Sequence, residues 1–277
     1  MMSDKILQDA DDSQIIDAIE ENFCSFGTTQ LGRWSRIEVH DEPDLLWFKS
    51  DVPAPSFNTN LRARLSPENV DLIIARQQAA YAERNLPLLW WTNPSSTPPE
   101  IGRHLISAGF VHHGELAGMA MDLNELVDEA YPDDLVIEPA VGTIAQQNFA
   151  QTLCQAFDTP QALVEPMIEQ SLAMDYGPGG PLVNYIGFLD GQPVTTASLY
   201  LESGVAGIYN VSTLPAYRGR GFGTTVTLAP LLEAKKRGYR FSVLHSSSMA
   251  ISLYRRLGFK TYCYFHQYLW PNPAQDK

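Results

Sequence analysis

Cysteine is scarce: Cys24, Cys154 and Cys263 stand far apart in no C-x-x-C arrangement, so neither a disulfide framework nor a zinc site is indicated. They read as reduced core thiols. Long apolar runs are missing as well. No stretch approaches the ~20 residues needed to cross a bilayer. The amino terminus, Met1-Met-Ser-Asp-Lys-Ile-Leu-Gln-Asp-Ala-Asp-Asp12, is polar and acidic and has no apolar core of a signal peptide. A soluble, cytoplasmic protein is the expectation. Basic charge is in deficit: 19 Lys and Arg against 32 Asp and Glu give a net charge of −13. That field disfavours a nucleic-acid backbone or an anionic membrane surface as partner and suits a cationic amine, although an acidic surface also serves plain solubility.

What the chain does have is Tyr209-Asn-Val-Ser-Thr-Leu-Pro-Ala-Tyr-Arg-Gly-Arg-Gly-Phe-Gly-Thr224, which reads as a strand entering a glycine-rich turn that opens a helix. The first N–H groups of a helix have no intrahelical partner, and the macrodipole there favours negative charge. Gly219, Gly221 and Gly223 remove side chains that would hold an anion away from those amides, while Arg218 and Arg220 add charge-assisted donors. The pattern fits a pyrophosphate. It is neither the dinucleotide fingerprint G-x-G-x-x-G nor the P-loop with its Gly-Lys-Ser/Thr.

Arg218-x-x-Gly221-x-Gly223 after a strand resembles the acetyl-CoA signature of the GCN5-related N-acetyltransferases (GNAT), and Leu244-His-Ser-Ser-Ser-Met-Ala-Ile-Ser-Leu-Tyr-Arg-Arg-Leu-Gly-Phe259 is similar to that family's strand, short helix and Leu-Tyr-x-x-Leu-Gly-Phe ending. The resemblance covers the second half of the chain. It implies an α/β (α+β) acyltransferase fold, a mixed, mostly antiparallel sheet flanked by helices. It also implies acetyl-CoA as co-substrate, without a metal.

The element pattern agrees. A strand at Leu135–Glu138 precedes helices at Thr143–Phe157 and from about Ala162 to Tyr176, and the latter stops at the breaker cluster Gly177-Pro-Gly-Gly-Pro181. A meander of strands at Tyr185–Leu189, Pro193–Glu202 and Val205–Thr213 follows, joined at Asp190-Gly191 and Ser203-Gly204. Then come a helix over 221–236, a strand at Phe241–Leu244, a helix at Met249–Leu257 and terminal strands to Trp270. Charge-rich Leu123–Asp134 reads as a linker, which divides the chain into domains at 1–125 and 134–272. The first domain holds a helix over Pro67–Arg84 capped by Ser66, the strand Leu86–Trp91 and a helix over Pro99–Phe110, so helix, strand, helix and Gly-Phe recur. It reads as a degenerate GNAT-like copy. Asn60-Leu-Arg-Ala-Arg-Leu-Ser66 has no glycine before its helix, and Leu105 stands where the second copy has Tyr254. The first copy is therefore expected to hold no cofactor.

The resemblance assigns pyrophosphate contacts to Arg218, Gly219, Arg220, Gly221, Phe222, Gly223 and Thr224, and the pantetheine arm to the backbone of Val211, Ser212 and Thr213. It makes Tyr254 the acid that protonates the coenzyme A thiolate, against a reading as a packed aromatic. Ser247 takes the place of an asparagine that often contacts the cofactor, and Asn210 takes the place of a glutamate base and cannot accept a proton. His245, which titrates near neutrality, is the best single guess for the base, although a packed histidine is the more frequent case. Arg255 and Arg256 could reach coenzyme A phosphates, but a solvated helix face is the preferred reading and they are left out of the site; Trp90 and Trp91 read as core or groove, and the adjacent His112 and His113 as no metal pair. The leading reading is an N-acetyltransferase acting on a primary amine of a small molecule or peptide, with the first domain shaping the acceptor cleft or a homodimer. Two others stay open. One is a non-catalytic acyl-CoA sensor, and the other a two-copy acyltransferase like mycothiol synthase.

Overall fold

The computed structural model describes residues 6–126, 134–177 and 179–270. Most of the expected linker (127–133) and Pro178 of the breaker loop lie outside the described residues. In chain order the main elements are α1 (Asp12–Ser25), β1 (Ile37–Asp41), β2 (Leu45–Ser50), β3 (Thr59–Ala63), α2 (Val70–Ala82), β4 (Leu88–Thr92), α3 (Ile101–Ser107) and β5 (Val111–Asp122). They continue with β6 (Leu135–Pro139), α4 (Thr143–Ala156), α5 (Gln161–Ala173), β7 (Leu182–Leu189), β8 (Gln192–Glu202), β9 (Val205–Thr213), α6 (Phe222–Lys236), β10 (Phe241–Ser246), α7 (Ile251–Arg256) and β11 (Lys260–Trp270).

The chain forms two compact units, and each draws on both halves of the sequence. One takes its described residues from Met1–Phe26 and Ala117–Tyr262, the other from Gly27–Leu116 and Cys263–Lys277. In the first unit the strand order is β5-β10-β9-β8-β7-β6, and in the second β1-β2-β3-β4-β11. Within these two strand orders the pairings are antiparallel except β9 with β10 and β3 with β4. A division at 123–134 does not describe these units, because residues 117–122 of β5 pair with β10 while residues 266–270 of β11 pair with β4. The strand that flanks each parallel pair, β5 beside β10 and β11 beside β4, comes from the other half of the sequence.

Local chemistry explains the elements. Asp11 and Gln14 form a capping box that starts α1. The β7–β8 and β8–β9 hairpins turn on Asp190-Gly191 and Ser203-Gly204, whose residues all have positive φ (+50°, +78°, +56° and +72°), as two-residue loops of matching twist require. Ser66 does not cap α2 with its side chain. Its carbonyl accepts from the amides of Asn69 and Val70 in a turn, and the helix begins at Val70. The terminal strands are a single strand, β11.

Each unit contains β-α-β-α in the same form, β9-α6-β10-α7 in one and β3-α2-β4-α3 in the other. Their ends match bond for bond: Phe259 N–H donates to Tyr254 O at 3.0 Å past Gly258 (φ +103°), and Phe110 N–H donates to Leu105 O at 3.0 Å past Gly109 (φ +88°). One core packs Leu199, Leu201, Ala206, Ile208 and Leu244 against Leu228 and Leu231 of α6 and Tyr254 of α7. The other packs Trp47, Ala63, Leu88 and Trp90 against Ile74 and Tyr81 of α2 and Leu105 of α3.

Candidate active site

β9 and β10 run parallel, but their pairing covers only Ala206–Ile208 and Ser242–Leu244. Beyond that β9 is diverted by a bulge. Thr196 pairs with Ser212 and Ser198 with Tyr209, so Asn210 and Val211 together face Ala197. Asn210 takes a left-handed backbone (φ +52°), a conformation asparagine tolerates better than most residues. The diversion carries Val211–Thr213 away from β10 and opens a wedge between the two strands.

A cleft of about 460 Å³ occupies this wedge and its mouth. Its wall contains Val211, Ser212 and Thr213 on one side and Ser247 and Tyr254 on the other, with Gly219, Gly221, Phe222, Gly223 and Thr224 at the opening of α6. Thus eleven of the thirteen residues singled out from the sequence share one wall once Arg218 is included. Arg220 and His245 are not in it.

The glycine turn has the geometry of an anion cradle. Gly219 and Gly221 have φ of +78° and +86°, and a Cβ on either would enter open space. Gly221 is the N-cap of α6 in a left-handed conformation, and no side chain caps the helix. The orphan amides therefore face the cleft mouth without a competing side chain, which fits a pyrophosphate. Gly223 serves packing, since a Cβ there would meet Leu253 Cδ1 at 3.2 Å. The arginines divide their work. Arg218 braces the turn through Nε to Thr213 O (3.1 Å) and Nη2 to Ala156 O (2.7 Å), which leaves other guanidinium donors at the mouth. Arg220 lies over the Phe222 ring at 4.7 Å and reaches Asp134 at 3.5 Å.

Tyr254 is 6% exposed, and burial raises its phenol far above the usual value, so it stays protonated throughout the physiological range. His245 sits on the face of β10 opposite Leu244, its ring 4.6 Å from that of Phe23, and burial pushes its imidazole down to about 3. Arg256 also belongs to the cleft wall, with Phe157, Tyr217 and Met249. The sequence favours a solvated helix face for Arg256 over a coenzyme A contact; it is exposed, and it lines the cleft beside Ser252, four residues earlier on the same helix face.

The equivalent opening in the other unit is closed by its own chain. β3 and β4 pair at Thr59–Leu89 and Asn60–Trp90, after which the loop past β4 takes over the exposed edge of β3. Asn93 Nδ2 donates to Leu61 O (3.1 Å), Thr97 N–H to Ala63 O (3.0 Å), Leu65 N–H to Thr97 O (3.1 Å) and Thr97 Oγ1 to Leu65 O (2.9 Å). Trp90 and Trp91 are both buried. A broad open cleft of about 970 Å³ does lie in this unit, between the end of β4, α3 and the Tyr264, His266 and Tyr268 face of β11, but it has no glycine-rich helix opening. Among the described residues no cluster of His, Cys, Asp and Glu could hold a metal ion, and no helix is long and apolar enough to cross a membrane.

Comparison with known proteins agrees with this geometry. Residues 183–261 match the family model of the acetyltransferase (GNAT) domain. A GCN5-related N-acetyltransferase from Kribbella flavida superposes with a TM-score of 0.68 at 18% identity, covering 94% of this chain and 97% of that one. Another from Sphaerobacter thermophilus gives 0.60 at 13%, covering 94% and 93%. A tandem GNAT protein from the clavulanic acid biosynthesis pathway gives 0.55 at 12%, covering 96% of both. No curated protein is similar enough in sequence to be matched. Residues 183–261 form a GNAT acetyltransferase domain, and the chain has the fold of tandem GNAT proteins.

Proposed function

We propose, from the premise that residues 183–261 are a GNAT acetyltransferase domain, that the chain transfers an acetyl group from acetyl-CoA to a primary amine of a small molecule or peptide. The observation that carries this is a single cleft wall holding the diverted edge of β9, the uncapped glycine opening of α6 and the Tyr254 phenol. Bound acetyl-CoA supplies a thioester whose acyl carbon is open to attack. The amides around Gly221 and the guanidinium of Arg218 hold the diphosphate, and Val211–Thr213 offer backbone partners to the amide-bearing arm. Tyr254 keeps its proton at pH 7 and gives it from Oη to the sulfur as the C–S bond breaks, and the proton shed by the newly acylated nitrogen passes through water to the phenolate, which restores the phenol.

His245, with its basicity lowered by burial and its ring against Phe23, is a poor base for an alkylammonium. The amine therefore enters the reaction already neutral, its proton lost to water. A non-catalytic acyl-CoA sensor is disfavoured by the presence of Tyr254 in the cleft wall. The test is thiol release from acetyl-CoA across a panel of primary amines. Release that depends on one class of amine supports the reading, whereas tight acetyl-CoA binding with no release for any amine favours the sensor. A mycothiol-synthase-like activity would appear as preference for an amino-sugar conjugate.

A further inference from the structure

The first copy carries a polar row where the second copy has an aliphatic one. In the second copy Val183, Leu199, Ile208, Leu244 and Met119 are paired in turn across β7, β8, β9, β10 and β5, and all of them lie in one apolar core. Ile208–Leu244 is the last pair before β9 and β10 part. The parallel pairing of the first copy ends in the same way at Asn60–Trp90, and the row through it runs His40, Trp47, Asn60, Trp90, Tyr268 across β1, β2, β3, β4 and β11. Every one of these side chains can hydrogen-bond. Directly paired residues present their side chains to one face, here the face that α2 covers, since Trp47 and Trp90 share a core with Ile74 and Tyr81.

The middle of this row is sealed, and its polar atoms are unmatched. Asn60 and Trp90 are 0% exposed and Trp47 is 7% exposed. Among the described residues, neither atom of the Asn60 amide and neither indole Nε1 has a hydrogen-bond partner. Gln77 stands on the buried face of α2 between Ile74 and Tyr81, whose ring lies 6.2 Å from that of Trp47, and its Oε1 is likewise buried without a donor. A buried polar group left unpaired destabilises a fold, and several in one patch do so heavily. The Val-Leu-Ile-Leu-Met row of the second copy shows that the architecture itself is content with aliphatic side chains here. The polar row therefore answers to something other than the fold.

From this we infer that the first copy encloses ordered water beneath α2, which accepts from the indole N–H groups of Trp47 and Trp90 and from the Asn60 NH2, and donates to Asn60 Oδ1 and Gln77 Oε1. None of the four side chains carries a charge, so the guest is neutral, and water both gives and takes hydrogen bonds in the mixture these groups require. An apolar guest would leave all of them unpaired. Larger ligands are shut out at the open end of the strand pair: the carbonyl of Leu61, the residue after Asn60, is taken by Asn93 Nδ2 at 3.1 Å, the first of the contacts that close the edge of β3. Toward β1, His40 stacks on Trp47 with ring centroids 3.7 Å apart. Water is thereby held at the level where, in the second copy, the strands part.

The experiment uses the full chain with 15N in its tryptophan indoles, and Trp47→Phe and Trp90→Phe assign the two signals. Held water gives an indole N–H a dipolar cross-peak in rotating-frame spectra, opposite in sign to one produced by proton exchange. Such cross-peaks at both indoles are the expected result. They should persist in Tyr81→Phe, which removes a hydroxyl that could relay the signal to Trp47. Asn60→Leu keeps the branched shape and removes the amide, so it supplies a second readout. With water bridging the row, leucine strands the two indole N–H groups, and the folding constant from denaturant melts should fall about tenfold. With nothing bound, leucine relieves an unpaired amide and the constant rises. A missing cross-peak at either indole, its loss in Tyr81→Phe, or an unchanged or raised folding constant in Asn60→Leu overturns the inference. If Asn60→Leu does not fold, the cross-peaks alone decide.

Discussion

Replacing Gly221 by glutamate tests the anion cradle most sharply. Gly221 is the N-cap of α6 at φ +86°, and a Cβ built there meets nothing within 4 Å, so the side chain has room but the backbone is strained. A non-glycine residue in this region costs about 1–2 kcal/mol, which Gly221→Ala should show alone. Glutamate adds charge. Two like unit charges about 5 Å apart at an effective dielectric of about 20 repel by roughly 3 kcal/mol, equal to a factor of about 10² in Kd. Calorimetric titration with acetyl-CoA at two salt concentrations separates these terms. The alanine variant should bind more weakly at both salts, whereas the glutamate variant should lose about 10²-fold more and recover part of it as salt rises. Equal affinity in wild type and the glutamate variant would refute the placement of a phosphate at this turn.

Tyr254→Phe should retain acetyl-CoA affinity and lower kcat by about 10²-fold, as loss of a general acid does; an unchanged kcat makes the tyrosine structural. Arg256→Ala should weaken acetyl-CoA binding several-fold and reduce its salt dependence, since the arginine belongs to the cleft wall; no change at low salt removes it from the site. His245→Gln should keep turnover within a few-fold and should act on acid stability. Burial lowers the folded-state value to about 3, so between there and the ordinary value of 6.5 the unfolded chain binds the extra proton. That contribution to stability is complete above 6.5 and is lost as pH falls toward 3, at up to about 1.4 kcal/mol per pH unit. Denaturant melts from pH 7 to 4 should show a shallower decline in the glutamine variant; a steeper one contradicts the assignment.

Much of the second copy was legible because its signals are local. Asp190-Gly191 and Ser203-Gly204 forced two hairpins, and the glycines from 219 to 223 announced a helix opening. The cleft wall brings Val211, Tyr254 and their neighbours together. What escaped is non-local. The pairing of β5 with β10 and of β11 with β4 depends on which strand edge is open, and both strands alternate in the same way whichever edge they take. The polar row from His40 to Tyr268 crosses several strands, and no spacing rule sets the register that lines its members up. Arg220 is diverted by the Phe222 ring two residues on and by the Asp134 carboxylate, which only folding brings near, and His245 lies on the sheet face away from Tyr254, an orientation that strand alternation alone did not tie to the cleft. The capping box of Asp11 and Gln14 was visible in the sequence and went unused.

The stoichiometry of acetyl-CoA binding to the whole chain tests the account most directly. One open wedge between β9 and β10, and one sewn shut by Asn93 and Thr97 between β3 and β4, require a single site per chain in calorimetric titration. One equivalent bound, its affinity lowered by about 10²-fold or more in Gly221→Glu, is the predicted result; two equivalents would contradict the closure of the second wedge, and none would contradict the cofactor site itself.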